Sequence, residues 1–157
     1  MSTHDVQIET LKPMRVASIW GFGPSPENEA WQKLEAWAKP QGLYGDLANH
    51  PIFGFNNPNP SAGSPNYGYE LWLQVGPDTL PEGDLRILDF AGGLYAVQRC
   101  EVPKGKFEQI GETWKELVTW LEDSKYKQGT HQWLEKSIAN SSPDLEFVLD
   151  LYLPIAE

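Results

Sequence analysis

Two stretches of the chain alternate apolar and polar side chains with the two-residue period of a half-buried strand. In Tyr69-Glu70-Leu71-Trp72-Leu73-Gln74-Val75, Leu71, Leu73 and Val75 share one face and Glu70, Trp72 and Gln74 the other. Leu149-Asp150-Leu151-Tyr152-Leu153-Pro154-Ile155 repeats the scheme, with Asp150, Tyr152 and Pro154 opposite the aliphatic face. Two further stretches carry the helical period. Ala30-Trp31-Gln32-Lys33-Leu34-Glu35-Ala36-Trp37 and Thr113-Trp114-Lys115-Glu116-Leu117-Val118-Thr119-Trp120 both contain Trp-x-x-Leu-x-x-Trp, which lines three large apolar groups along a helix face. Phe107, Ile110, Trp114, Leu117, Val118 and Leu121 extend the second stripe. β-Rich entries precede each helix, Met14 to Trp20 and Leu94 to Cys100, each after another strand and a tight turn, at Lys12-Pro13 and Gly92-Gly93.

The order strand, turn, strand, helix, strands thus occurs twice. The halves run over about 5–76 and 84–156, with the Gly-, Pro- and Asp-rich stretch from Gly76 to Gly83 as linker. The expected fold is α+β: duplicated strand–helix–strand–strand modules with pseudo-two-fold symmetry, whose antiparallel sheets enclose a central cleft. The local signals agree. Ser25-Pro26-Glu27 suits a helix start, and Pro40 and Gly42 suit its end. The aliphatic strand faces suit the helices, with Trp31, Leu34, Trp114 and Leu117 holding each helix on its sheet. That leaves Glu70 and Trp72, and Asp150 and Tyr152, to converge at the centre. Trp133 and Glu135 share a face of the strand after the second helix and are expected beside them.

Composition narrows the chemistry. With 157 residues and 40% hydrophobic positions, the chain suits one domain over 1–157 with one sizeable core. Seven tryptophans, six tyrosines and six phenylalanines exceed what such a core needs and leave aromatics for a binding site. The net charge of −10, with no basic stripe, disfavours direct nucleic acid binding and favours cations. No apolar run is long enough to span a bilayer, and Met1 to Asp5 lack the features of a signal peptide. Cys100 stands alone. The chain is therefore expected in the cytoplasm and off the membrane. An acid among aromatic faces suits a lipophilic cation, each ring adding roughly 0.5–2 kcal/mol. For an isolated strand acid such as Glu70 or Asp150 the plainer reading is a solvated position.

At this point the chain resembles the GyrI-like family, related to the effector-binding domains of multidrug-responsive and AraC-type transcription regulators. The resemblance is carried by Val6 to Ala17, the paired Trp-x-x-Leu-x-x-Trp helices, Gly92-Gly93-Leu94-Tyr95-Ala96-Val97 and Leu151-Tyr152-Leu153-Pro154-Ile155. It implies a duplicated fold with a central cleft. It also implies an acid shortly before the final strand that meets cationic aromatic ligands, a place that Glu135 matches. The acid and aromatic of the final strand correspond to Asp150 and Tyr152, and the loop from Asn56 to Tyr67 is where members vary. Unlike the regulators, the chain shows no region for a helix-turn-helix, so a free-standing ligand module is expected.

Other chemistries find less support. His4, His50 and His131 lack metal-ligand spacing, Cys100 lacks an identifiable His partner, and Gly92-Gly93 leads into a strand, so no metal, cofactor or phosphate cradle is expected. Three function classes stay open. The first is a small-molecule binding module for apolar, cationic aromatic compounds, with Glu135, Tyr152, Trp72, Glu70, Asp150 and Trp133 as ligand-binding residues. The second is a hydrolase of strained electrophiles using a cleft carboxylate, Glu135 foremost or Glu70. The third is a protein-binding, gyrase-inhibitor-like module. An exposed edge strand would support a homodimer or a separate protein partner.

Overall fold

The computed structural model describes residues 5–140 and 142–157, so His4 lies outside the described residues. Nine strands and two α-helices are present among them: β1 (Gln7–Leu11), β2 (Met14–Gly23), α1 (Pro26–Ala38), β3 (Ile52–Asn56), β4 (Tyr67–Gln74), β5 (Arg86–Phe90), β6 (Gly93–Pro103), α2 (Glu108–Glu122), β7 (Lys127–Gln128), β8 (Leu134–Ile138) and β9 (Leu145–Ala156). The chain is α+β, and its strand pairs described below are antiparallel. No helix among the described residues is long and apolar enough to cross a membrane.

The chain divides into two compact units. One is Pro13–Phe90; the other joins the described residues through Lys12 to Ala91–Glu157. In the first unit β3 pairs with β4, β4 with β2 and β2 with β5. Helix α1 begins at Pro26, whose missing N–H costs nothing there, and Gly42 ends the helical run in the left-handed region at φ 72°. Ser25 occupies the cap position without donating or accepting a side-chain hydrogen bond to the helix. The helix buries Ala30, Leu34 and Ala38 against Ala17, Ile19, Leu71, Leu73 and Val75. Trp31 and Trp37 flank this contact and are only partly buried. Small residues at the centre let the helix approach the sheet, and indoles too large to fit beneath it close the sides.

In the second unit β1 pairs with β6, β6 with β9, and β9 with both β8 and the short β7. Helix α2 buries Thr113, Leu117 and Leu121. Leu117 and Leu121 pack with Ala96, Cys100, Leu151, Leu153 and Ile155, while Trp114, Val118 and Trp120 pack around that core. Phe107, expected to begin the apolar stripe, stands before the helix and is 55% exposed.

The boundaries of these units differ from halves drawn over 5–76 and 84–156. The tight turns at Lys12-Pro13 and Gly92-Gly93 do not close hairpins. Strand β1 bonds to β6, and β5 bonds to β2. Strand β2 has β4 and β5 on its two edges, and β6 has β1 and β9, so neither entry strand keeps an edge for the strand just before it.

Candidate functional site

The face of β4 turned away from α1 carries Glu70 and Trp72. Directly opposite Glu70 lie Phe55 on β3 and Trp20 on β2; opposite Trp72 lie Phe53 and Ser18. Strand β5 sets Arg86 opposite Ser18. Directly opposed residues share a face, so six aromatic or polar side chains share the face of one carboxylate. Glu70 is only 3% exposed. Its Oε2 accepts hydrogen bonds from Ser18 Oγ at 2.6 Å and Trp72 Nε1 at 2.8 Å, and its Oε1 accepts one from Asn57 Nδ2 at 3.0 Å. Three neutral donors offset the several kcal/mol that taking a carboxylate from water costs. Among the described residues the nearest cation, Arg86 Nη2, stands 3.6 Å from Oε2, beyond hydrogen-bond reach, on a side chain 61% exposed.

Trp72 is fixed by more than its bond to Glu70. Phe55 meets it edge to face at 4.9 Å and 78°, and Phe90 lies at 5.1 Å and 51°. Next to Glu70, a cavity of ≈ 450 Å³ opens in this unit, with Trp20, Phe22, Asn57, Asp84 and Arg86 among its walls. Its size lies within the range of drug-sized ligand sites.

In the other unit, Tyr152 faces Val97 across β6 and Leu134 across β8, and Asp150 faces Arg99 and Lys136. Tyr152 is buried, meets Tyr95 edge to face at 5.4 Å and donates a hydrogen bond to Glu9 Oε1 at 3.1 Å. Burial and the Glu9 carboxylate push its hydroxyl well above the usual tyrosine range. Asp150 accepts two bonds from the Arg99 guanidinium, at 2.5 Å from Nε and 3.3 Å from Nη2. Its charge is thus matched by the cation directly across the strand pair.

A model of the GyrI-like small molecule binding domain matches residues 4–156. The chain belongs to the GyrI-like family. Among curated proteins, none matches it. Among solved structures it is similar to the C-terminal domain of EcmrR, with a TM-score of 0.71 at 16% identity over 99% of each chain. It is similar to a hydrolase from Listeria innocua, with a TM-score of 0.68 at 13% identity over 96% of this chain and 91% of that one. SAV2435 bound to tetraphenylphosphonium matches with a TM-score of 0.56 at 12% identity, over 97% of this chain and 94% of the other. The chain spans 58% of the length of EcmrR as seen in its DNA complex. At these identities the structural likeness speaks for the GyrI-like fold.

Within this GyrI-like chain, alternation correctly separates Glu70 and Trp72 from the helix-facing leucines. The expected position of Glu135 beside Asp150 and Tyr152 requires correction. Glu135 stands opposite Leu151, so it shares the side of β9 that packs on α2, whereas Asp150 and Tyr152 take the other side. Its Oε2 accepts a hydrogen bond from Trp114 Nε1 at 3.1 Å. Trp133 goes with it, packing on Trp114 at 5.3 Å. The physical reason is register: β8 meets β9 so that odd-numbered Glu135 aligns with odd-numbered Leu151. The residues that sequence reading missed are Ser18, Asn57, Phe55, Phe90 and Arg86. They come from β2, β3, β5 and the loop after β3, and only the pairing of distant stretches of chain brings them to Glu70 and Trp72.

Proposed function

We propose that this chain binds apolar, cationic aromatic compounds through the Glu70–Trp72 face of Pro13–Phe90. The observation that carries the proposal is the carboxylate of Glu70: buried, held by three neutral donors, set among Trp20, Phe55 and Trp72, and approached among the described residues by no closer cation than Arg86. Such a group gives an incoming cation a charge met only by the more distant, exposed Arg86, and ring faces together. Asp150 and Tyr152 form a weaker candidate face, because Arg99 already satisfies Asp150. Glu135 and Trp133, on the α2 side of their sheet, fall outside the proposed site. The family's small-molecule role and the tetraphenylphosphonium bound by SAV2435 support the ligand class.

The same reading takes the chain as an internal repeat. In its support, both helices carry Trp-x-x-Leu-x-x-Trp, and the strand orders β3-β4-β2-β5 and β8-β9-β6-β1 place equivalent strands in equivalent positions.

Titration with rhodamine- and phenanthridinium-type cations should quench tryptophan fluorescence saturably, because Trp20 and Trp72 line the proposed face. A flat response across the panel would contradict the proposal. Recovering the ligand unchanged after prolonged incubation separates binding from the hydrolase reading, to which the likeness to the Listeria innocua hydrolase lends its interest.

A further inference from the structure

The cavity beside Glu70 has a wall that the core does not require. Strand β2 runs past the end of β5, whose pairing stops at Ser18, and the overhang carries Trp20 and Phe22. These rings are 44% and 46% exposed and stack on one another at 5.5 Å and 28°. Trp20 donates its Nε1–H to the Asn57 carbonyl at 2.6 Å, which fixes the plane of the indole. A rigid, exposed aromatic plate next to a buried carboxylate is arranged for a flat partner.

The open edge of β2 is already covered. Lys33 donates to the Trp20 carbonyl at 3.1 Å, Glu29 accepts from the Phe22 N–H at 3.3 Å, and the two side chains pair at 2.9 Å. Strand addition is therefore obstructed at Trp20 and Phe22, and the charges of Glu29 and Lys33 cancel. What remains in the cavity is Glu70 and Asp84 against Arg86, an excess of one negative charge. Glu70 Oε1 accepts only from Asn57 among the described residues, so it retains capacity for another donor. Arg86 hovers over Oε2 at 3.6 Å without a hydrogen bond, largely in solvent, a pairing of little strength.

Resting on the binding reading above, we propose that this cavity seats a planar aromatic monocation bearing an N–H donor, and that Arg86 is the internal cation it displaces. The ring system lies on Trp20, the N–H group meets Glu70, and the Arg86 guanidinium, itself a planar N–H-bearing cation, moves out to solvent. Arg86 then sets specificity: it lowers affinity for every cation and is overcome best by one that also donates a hydrogen bond.

The test compares 9-aminoacridine, a planar monocation with N–H donors, with 10-methylacridinium, which has the ring and charge but no donor. Both are titrated by fluorescence into the full chain and its variants. Wild type should bind 9-aminoacridine roughly tenfold more tightly than 10-methylacridinium. Arg86→Gln should tighten both severalfold, and Arg86→Lys should stay near wild type. Trp20→Ala, at an exposed position, should retain the fold by circular dichroism and lose roughly tenfold in affinity for 9-aminoacridine. Equal affinity for the two dyes, or weaker or unchanged binding by Arg86→Gln, overturns the inference while leaving the binding proposal standing. No binding of either dye to any variant overturns both.

Discussion

Single residues decide how this surface responds to pH. Tyr67, at the start of β4, donates its hydroxyl to both Glu27 oxygens at 2.8 Å. Burial first, and the Glu27 carboxylate second, push its pKa up from 10.0 to about 12. The folded state thus favours the neutral hydroxyl. Its stabilising contribution is complete below the unfolded value of 10.0 and is lost as pH rises through about 12. Denaturant midpoints should hold steady up to pH 10 and then fall, and Tyr67→Phe should fall less steeply. Parallel declines in the two proteins would contradict this role. At the same scale, the sequence was informative about Glu70 and Trp72 because alternation is a local property. It was uninformative about Ser18, Asn57 and Arg86, because their meeting with Glu70 depends on strand register. Glu135 shows the converse: its place before the final strand was legible, and the face it takes was not, since a shift of one residue would exchange the two faces.

Among the elements, the two helices were the most legible, through a motif visible in a single pass. The tryptophans that make the motif conspicuous are not its centre. The fully buried line in α1 is Ala30, Leu34 and Ala38, and Trp31 and Trp37 seal its sides. Close approach of α1 to β2 also needs Gly21, where a Cβ would overlap the Pro26 carbonyl oxygen and stand 3.0 Å from the Ala30 nitrogen. Gly21→Ala should therefore cost about 1–3 kcal/mol in equilibrium unfolding by urea. Gly111, on the exposed side of α2, offers the opposite case. No atom lies within 4 Å of an added Cβ, and a helix-interior glycine is a poor helix former. Gly111→Ala should stabilise the chain by about 0.5–1 kcal/mol in the same assay. Equal effects at the two glycines would contradict the packing described for α1.

For the whole molecule, the sequence conveyed the α+β class, because it follows from local periodicity. It left the partners of β1 and β5 open. A short turn suggests a hairpin, yet the edges that these strands extend belong to β6 and β2, far along the chain. Which edge is vacant is a property of the assembled sheet and leaves no mark near Lys12-Pro13 or Gly92-Gly93. The same limitation governs function. A net charge of −10 and a wealth of aromatics suggested a cation site, and only the folded chain distinguishes an acid hydrogen-bonded by its cation, such as Asp150 with Arg99, from Glu70, whose Arg86 stands at 3.6 Å.

Calorimetric titration of one cationic dye into wild type, Glu70→Gln and Asp150→Asn separates the two acids. Glu70→Gln keeps the size of the side chain and removes its charge. It should weaken binding tenfold or more, about 1.4 kcal/mol, while Asp150→Asn should stay within about twofold of wild type. Unchanged affinity in Glu70→Gln, or the larger loss in Asp150→Asn, would contradict the proposed site at Glu70.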